Sequence, residues 1–191
     1  VTTRRREVSI RYGWLMRAIF GALAALSAVV GFRYDPVFVR DLASIGVLVA
    51  ASVALWSSWV HRAAGVEHQR ERVQVRSARV DAMTGIERET QRFDISVGEF
   101  DPRLDLIAPG IGLVGLFAGG AVAGDPIWLS IARTVVGAAC LGAVTDAMSL
   151  GHWYLTQPGL PRAPLLELVR LLGFIWPVEV VLLLVPPGMV E

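Results

Sequence analysis

Apolar runs close to 20 residues long recur along this chain, and they limit what it can fold into more than any other feature. A helix rises about 1.5 Å per residue and the hydrocarbon layer of a bilayer is about 30 Å thick, so one crossing takes about 20 mostly apolar residues. Five such runs are present: Trp14 to Gly31, Leu42 to Val60, Leu104 to Gly124, Ile127 to about Leu150, and about Leu165 to Val185. The chain is 54% hydrophobic and 18% charged, whereas soluble domains carry roughly 25% charge. The expected fold is an all-α bundle of about five transmembrane helices, with a cytoplasmic helical hairpin between the second and third.

Arginine placement sets the expected orientation. Arg4, Arg5, Arg6 and Arg11 precede the first run. Arg62, Arg70, Arg72, Arg76, Arg79, Arg88 and Arg92 follow the second, and Arg162 follows the fourth. The opposite connections hold Arg33 and Arg40, offset by Asp35 and Asp41, and then a Gly-Asp-Pro turn without a base. This predicts a cytoplasmic tail over 1–13, a transmembrane hairpin over 14–60 and a charged cytoplasmic loop over 61–103. A second hairpin over 104–150, a cytoplasmic turn over 151–164, a fifth span over 165–185 and an external end over 186–191 follow. Tyr12, Trp14, Trp56, Trp59, Trp153 and Tyr154 fall at expected inner boundaries, and Phe32, Tyr34, Phe38 and Trp128 at outer ones, the depth that amphipathic rings prefer. A cleaved signal peptide is the rival reading of the first 30 residues, but the apolar part is longer than a usual signal core, and Tyr12 and Arg17 interrupt it.

All 18 basic residues are arginine, which with abundant Ala, Val and Gly points to a GC-rich bacterial gene, and Val1 to a GTG start translated literally. The expected location is the bacterial cytoplasmic membrane. A net charge of +1 implies no nucleic-acid partner. The single Cys140 allows no intrachain disulfide. In the loop, Glu67 with Arg70 and Arg72 with Arg76 have helical spacing. Thr84 and Glu87 have the spacing of a capping box that restarts a helix, and the segment before Pro102 reads as irregular. Such a loop either docks a partner or anionic headgroups, or simply joins two spans.

The third run places Ala108, Gly112, Gly115, Gly119 and Ala123 on one helix face. Small residues let backbones approach closely, which drives helix association in lipid. The partner helix is expected in this chain or in another, so self-association or a protein partner through the third helix is one expectation. The sequences DPVFV at Asp35 and DPIWL at Asp125, ninety residues apart, suggest a repeated helical hairpin or a coincidence of two turn starts.

Ionisable groups at membrane depth are costly, and each is a functional candidate by default. Arg17 and Arg133 are expected to snorkel, with Glu179 the alternative partner of Arg133. Asp146 reads as an interfacial carboxylate or a proton or cation site. His152 lies about 120° around the helix from Asp146, so the two are no ready dyad. His61 is expected at the depth of His152, and two facing histidines could hold a haem iron, whereas zinc needs more ligands. Glu167 and Arg170 are expected to pair with each other at the start of the fifth run.

Glu179 is the leading single candidate. It lies about 21 Å along the fifth run, just after Trp176-Pro177, and proline frees a carbonyl and can kink a helix. A carboxylate beside a kink suits proton or ion coupling. The sequence contains no Gly-x-Ser-x-Gly, His-Glu-x-x-His or Cys-x-x-Cys motif. The reading therefore leans to a non-catalytic membrane subunit or assembly partner, without a cofactor. A proton- or ion-coupled transport protein using Glu179 with Arg133 or Asp146 is the alternative, and a haem b electron-transfer subunit using His61 and His152 the second.

Overall fold

The computed structural model describes residues 10–64, 98–156 and 161–185, with positions 71, 73–75, 78, 82–83, 94 and 96 between them. Five long helices follow one another: α1 (Ile10–Tyr34), α2 (Phe38–Val60), α3 (Ile107–Val122), α4 (Ile127–Thr156) and α5 (Ala163–Leu184). No strand occurs among the described residues. A 3₁₀ turn, His61–Ala63, continues α2, and another, Pro102–Leu106, leads into α3. Proline marks the starts as its fixed φ and missing N–H require: Pro102 and Pro164 stand in the first positions of the 3₁₀ turn and of α5. Asp101 caps the former, its carboxylate accepting from the Arg103 N–H at 2.9 Å.

Four helical segments are long and apolar enough to cross a membrane: Ile10–Tyr34, Phe38–Ala63, Pro102–Val122 and Ile127–Leu155. Only 11–28% of the residues in their most apolar windows are buried within the chain, so their outer faces suit lipid. The fifth helix differs from them. Every stretch of 18 residues within Ala163–Leu184 contains Glu167, Arg170 and Glu179. The helices also overrun their apolar runs: α1 begins by Ile10, and α4 continues to Thr156.

Consecutive helices pack against one another, α1 on α2, α2 on α3, α3 on α4 and α4 on α5. Small residues make these approaches close, as expected where helix contact rests on van der Waals packing. Gly21, Ala24, Ala28 and Gly31 form the buried stripe of α1, where a Cβ at Gly21 would lie 3.6 Å from the Ala51 Cβ and one at Gly31 only 2.2 Å from the Asp41 carboxylate. In α3, a Cβ at Gly115 would stand 2.9 Å from the Ala43 Cβ, one at Gly112 3.5 Å from Val47, and one at Gly119 3.3 Å from Arg40. Gly120 faces the other way, against the Ile131 backbone of α4. The Gly112, Gly115 and Gly119 face is thus covered by α2 of the same chain. Ala108 is half-buried and Ala123 exposed at its two ends.

Among the described residues, α1 meets the α4–α5 pair around Tyr12. There Tyr12, Leu150 and Leu168 form a buried cluster, with Met16, Ala147, Trp153, Tyr154 and Leu165 around it. Of the loop over 61–103, positions 71, 73–75, 78, 82 and 83 are helical and positions 98–101 irregular. Its base is tied by the Asp94 N–H, which donates to the Ala63 carbonyl at 2.9 Å. The expected capping box at Thr84 and Glu87 lies outside the described residues.

Candidate functional site

At the turn between α1 and α2, Asp41 is fully buried. Its carboxylate accepts from the Val37 N–H at 3.0 Å and from Arg40 Nε at 2.9 Å. A carboxylate in a first helical turn satisfies an orphan N–H and complements the helix dipole. Arg40 also donates to the Asp35 carbonyl. The whole arrangement is a turn lock. At the ninety-residue offset of the suggested repeat, Arg40 and Asp41 correspond to Ser130 and Ile131, so the second hairpin lacks this lock.

Arg17 does not reach for solvent. Its Nε and Nη2 donate to the two carboxylate oxygens of Asp105, each at 2.7 Å, and its guanidinium lies 4.4 Å from the centre of the Phe100 ring. The pair is largely enclosed, the side chains being 9% and 19% exposed. This bidentate bridge ties α1 to the 3₁₀ turn that opens α3. Arg17 Nη1 and Trp14 Nε1 are buried without a partner among the described residues.

Arg133 neither reaches for solvent nor takes the alternative partner Glu179. Arg133 donates from Nε to the Leu182 carbonyl at 2.9 Å and from Nη2 to the Val185 carbonyl. It thereby caps the last turn of α5, where free carbonyls and the negative end of the dipole attract a cation. The antiparallel register of α4 and α5 explains the substitution. It brings Arg133 level with residues 182–185 and Gly137 level with Glu179, since a Cβ at Gly137 would stand 3.2 Å from Glu179 Oε1. Glu179 therefore faces a glycine, and its Oε2 is buried without a hydrogen-bond partner among the described residues.

Asp146 is half-buried on α4 and accepts from the Tyr12 hydroxyl of α1, 2.5 Å from its Oδ1. The same hydroxyl lies 3.2 Å from the Asp146 carbonyl oxygen. The Tyr12 ring meets Trp153 edge-on, with centroids 5.6 Å apart. Sequence reasoning places Tyr12 as an interfacial anchor and gives no sign of this bond, which spans 134 residues.

His61 turns back on its own helix, its Nδ1 2.7 Å from the Ser57 carbonyl. His152 is exposed on α4. The helices that carry these histidines are not a packed pair, so the structure does not build a two-histidine site. No group of three or more His, Cys, Asp or Glu side chains suited to a metal occurs among the described residues. In the loop, the Ser96 hydroxyl and N–H both donate to Asp94 and hold its carboxyl below the usual carboxylate range. Cys140 is half-buried and free.

Glu179 and Asp146 are thus separate features, on different helices and with different neighbours, and Arg133 serves neither. Comparison with family models, with curated proteins and with solved structures finds no match.

Proposed function

We propose that this chain is a non-catalytic subunit of the bacterial cytoplasmic membrane that assembles with another membrane protein. It crosses five times, with its N-terminus and its charged loop inside and its C-terminus outside. The observation that carries this reading is α5. Among the described residues that helix packs mainly on α4, with Leu168 also meeting Tyr12 of α1, and Phe174, Trp176, Val181, Leu183 and Leu184 are exposed along it. Three charges in every span-length stretch make a crossing costly when only lipid surrounds it. A partner helix along the open face of α5 would offset that cost. With the small-residue face of α3 already covered by α2, α5 is the more accessible place for a partner.

Gentle extraction from the native host, followed by identification of stoichiometric companions, tests the reading. A defined membrane partner is expected, and its contact should be lost when Phe174 and Trp176 are both replaced by alanine. Recovery of the chain alone, or only with itself, overturns the subunit reading.

One observation favours a second reading, a proton-coupled transport protein. Glu179 Oε2, two residues after Pro177, is buried without a hydrogen-bond partner among the described residues. An ionised carboxylate is costly in such a place, and binding a proton removes the charge. Under this reading Glu179→Gln abolishes proton-dependent uptake in vesicles and leaves the folded bundle intact. Under the subunit reading the same change leaves partner assembly unaltered.

A further inference from the structure

We propose that Tyr12 and Asp146 form a releasable latch across the seam between α1 and the α4–α5 pair, so that this seam opens at its Tyr12 end while the other helix contacts hold. Among the described residues four helix pairs are closely packed, and α1 with α4 and α1 with α5 are not among them. The pairs α1–α2, α2–α3 and α3–α4 meet at glycine and alanine in close approach, and α4 meets the Glu179 side chain of α5 at Gly137. The seam has no such stripe, because the small-residue face of α1 is turned towards α2. Among the described residues, Tyr12 is the fully buried α1 side chain that crosses it, with Met16 packed beside the same cluster. Tyr12 is 2% exposed, and its hydroxyl meets the Asp146 carboxylate at 2.5 Å. Its ring meets Trp153, Leu150 and Leu168. A hydroxyl-to-carboxylate bond is short, directional and charge-assisted, and it is lost as a unit once the groups part. An interface of that kind is bistable, unlike a stripe of interlocked backbones. The latch is independent of either reading of function, and it supplies the movable element that a coupled or partner-gated membrane protein requires.

The test measures exposure behind the latch in the full chain, purified in mild detergent with Cys140→Ser as background. Ala147→Cys reports on the seam, because Ala147 packs against the Tyr12 cluster. Ala54→Cys reports on the remaining packing, because Ala54 is 2% exposed on α2. The probe is a water-soluble maleimide. Tyr12→Phe keeps the ring and removes the hydroxyl. It is expected to raise the labelling rate at position 147 by about tenfold, the effect of losing one charge-assisted hydrogen bond, and to leave position 54 unchanged. Asp146→Asn keeps an acceptor and should give a smaller rise. An unchanged rate at 147 in Tyr12→Phe overturns the latch, and so does an equal rise at 147 and 54, which would mean general loosening. If Tyr12→Phe fails to fold, Asp146→Asn decides: a rise confined to position 147 supports the latch, and none overturns it.

Discussion

Arg17 shows how much of this protein depends on single side chains meeting across the bundle. A guanidinium that donates two 2.7 Å bonds to one carboxylate, in a pair 9% and 19% exposed, has exchanged water for one partner. Removing only the carboxylate leaves an uncompensated charge in a low-dielectric setting, which costs about 3–5 kcal/mol, whereas replacing both groups by apolar ones is often neutral. Asp105→Ala should therefore lower unfolding stability in bicelles by about that amount, and Arg17→Met combined with Asp105→Leu should recover most of it. An equal loss in the single and double variants would show that the site matters for its packing and not for its charge. Neither this pair nor Tyr12 with Asp146 is legible in the sequence. Periodicity gives a residue's face and depth on its own helix, but not the register of that helix against a neighbour 88 or 134 positions away. The same missing register explains Arg133 and Glu179. Both stand on adjacent, packed helices, yet a shift of about one turn sends Arg133 to the end of α5 and leaves Glu179 opposite Gly137.

At the scale of helices the sequence says more, because small residues at helical spacing are a local signal with a physical meaning. The stripe of α3 is readable from its period alone, although nothing in the period reveals that α2 fills it. The same signal stands in α1, at Gly21, Ala24, Ala28 and Gly31, and is easily passed over beside the arginines that draw attention to that segment. The glycines can be ranked by what a methyl group would meet. At Gly120 it would lie 2.8 Å from the Ile131 Cα, a backbone atom that cannot swing aside, whereas at Gly110 and Gly142 it would meet nothing within 4 Å. Overpacking of this kind costs about 1–3 kcal/mol, while alanine is favoured over glycine within a helix by up to about 1 kcal/mol. Gly120→Ala should thus lower the melting temperature in detergent, and Gly110→Ala or Gly142→Ala should leave it unchanged or raise it slightly. A harmless Gly120→Ala would mean that α3 and α4 sit further apart than their backbones indicate.

For the whole molecule, α5 decides between four crossings and five. Four crossings place both ends of the chain on one side, and five place them on opposite sides. The arginine distribution favours an inner N-terminus and an inner loop after α2, but it says little about α5, which has Arg162 before it and Arg170 within it. Two contacts argue that α5 crosses. The Tyr154 hydroxyl donates to the Pro161 carbonyl, closing the turn between α4 and α5. Arg133 holds the far end of α5 to α4, so the two helices run side by side from turn to tip. Since α4 is apolar and long enough to span, the proposal is that α5 is carried across with it. A phosphatase fused after Val185 should then be active outside the cell, and a fluorescent protein fused at the same place should be dark, while fusions after Ala64 should behave in the opposite way. Arg133→Ala removes the cap without changing the length of either helix. If that cap draws α5 through, the variant should show a mixed population, with part of the C-terminal fusion retained inside. Full retention inside in the unaltered chain would limit it to four crossings, and α5 would then lie along the inner surface.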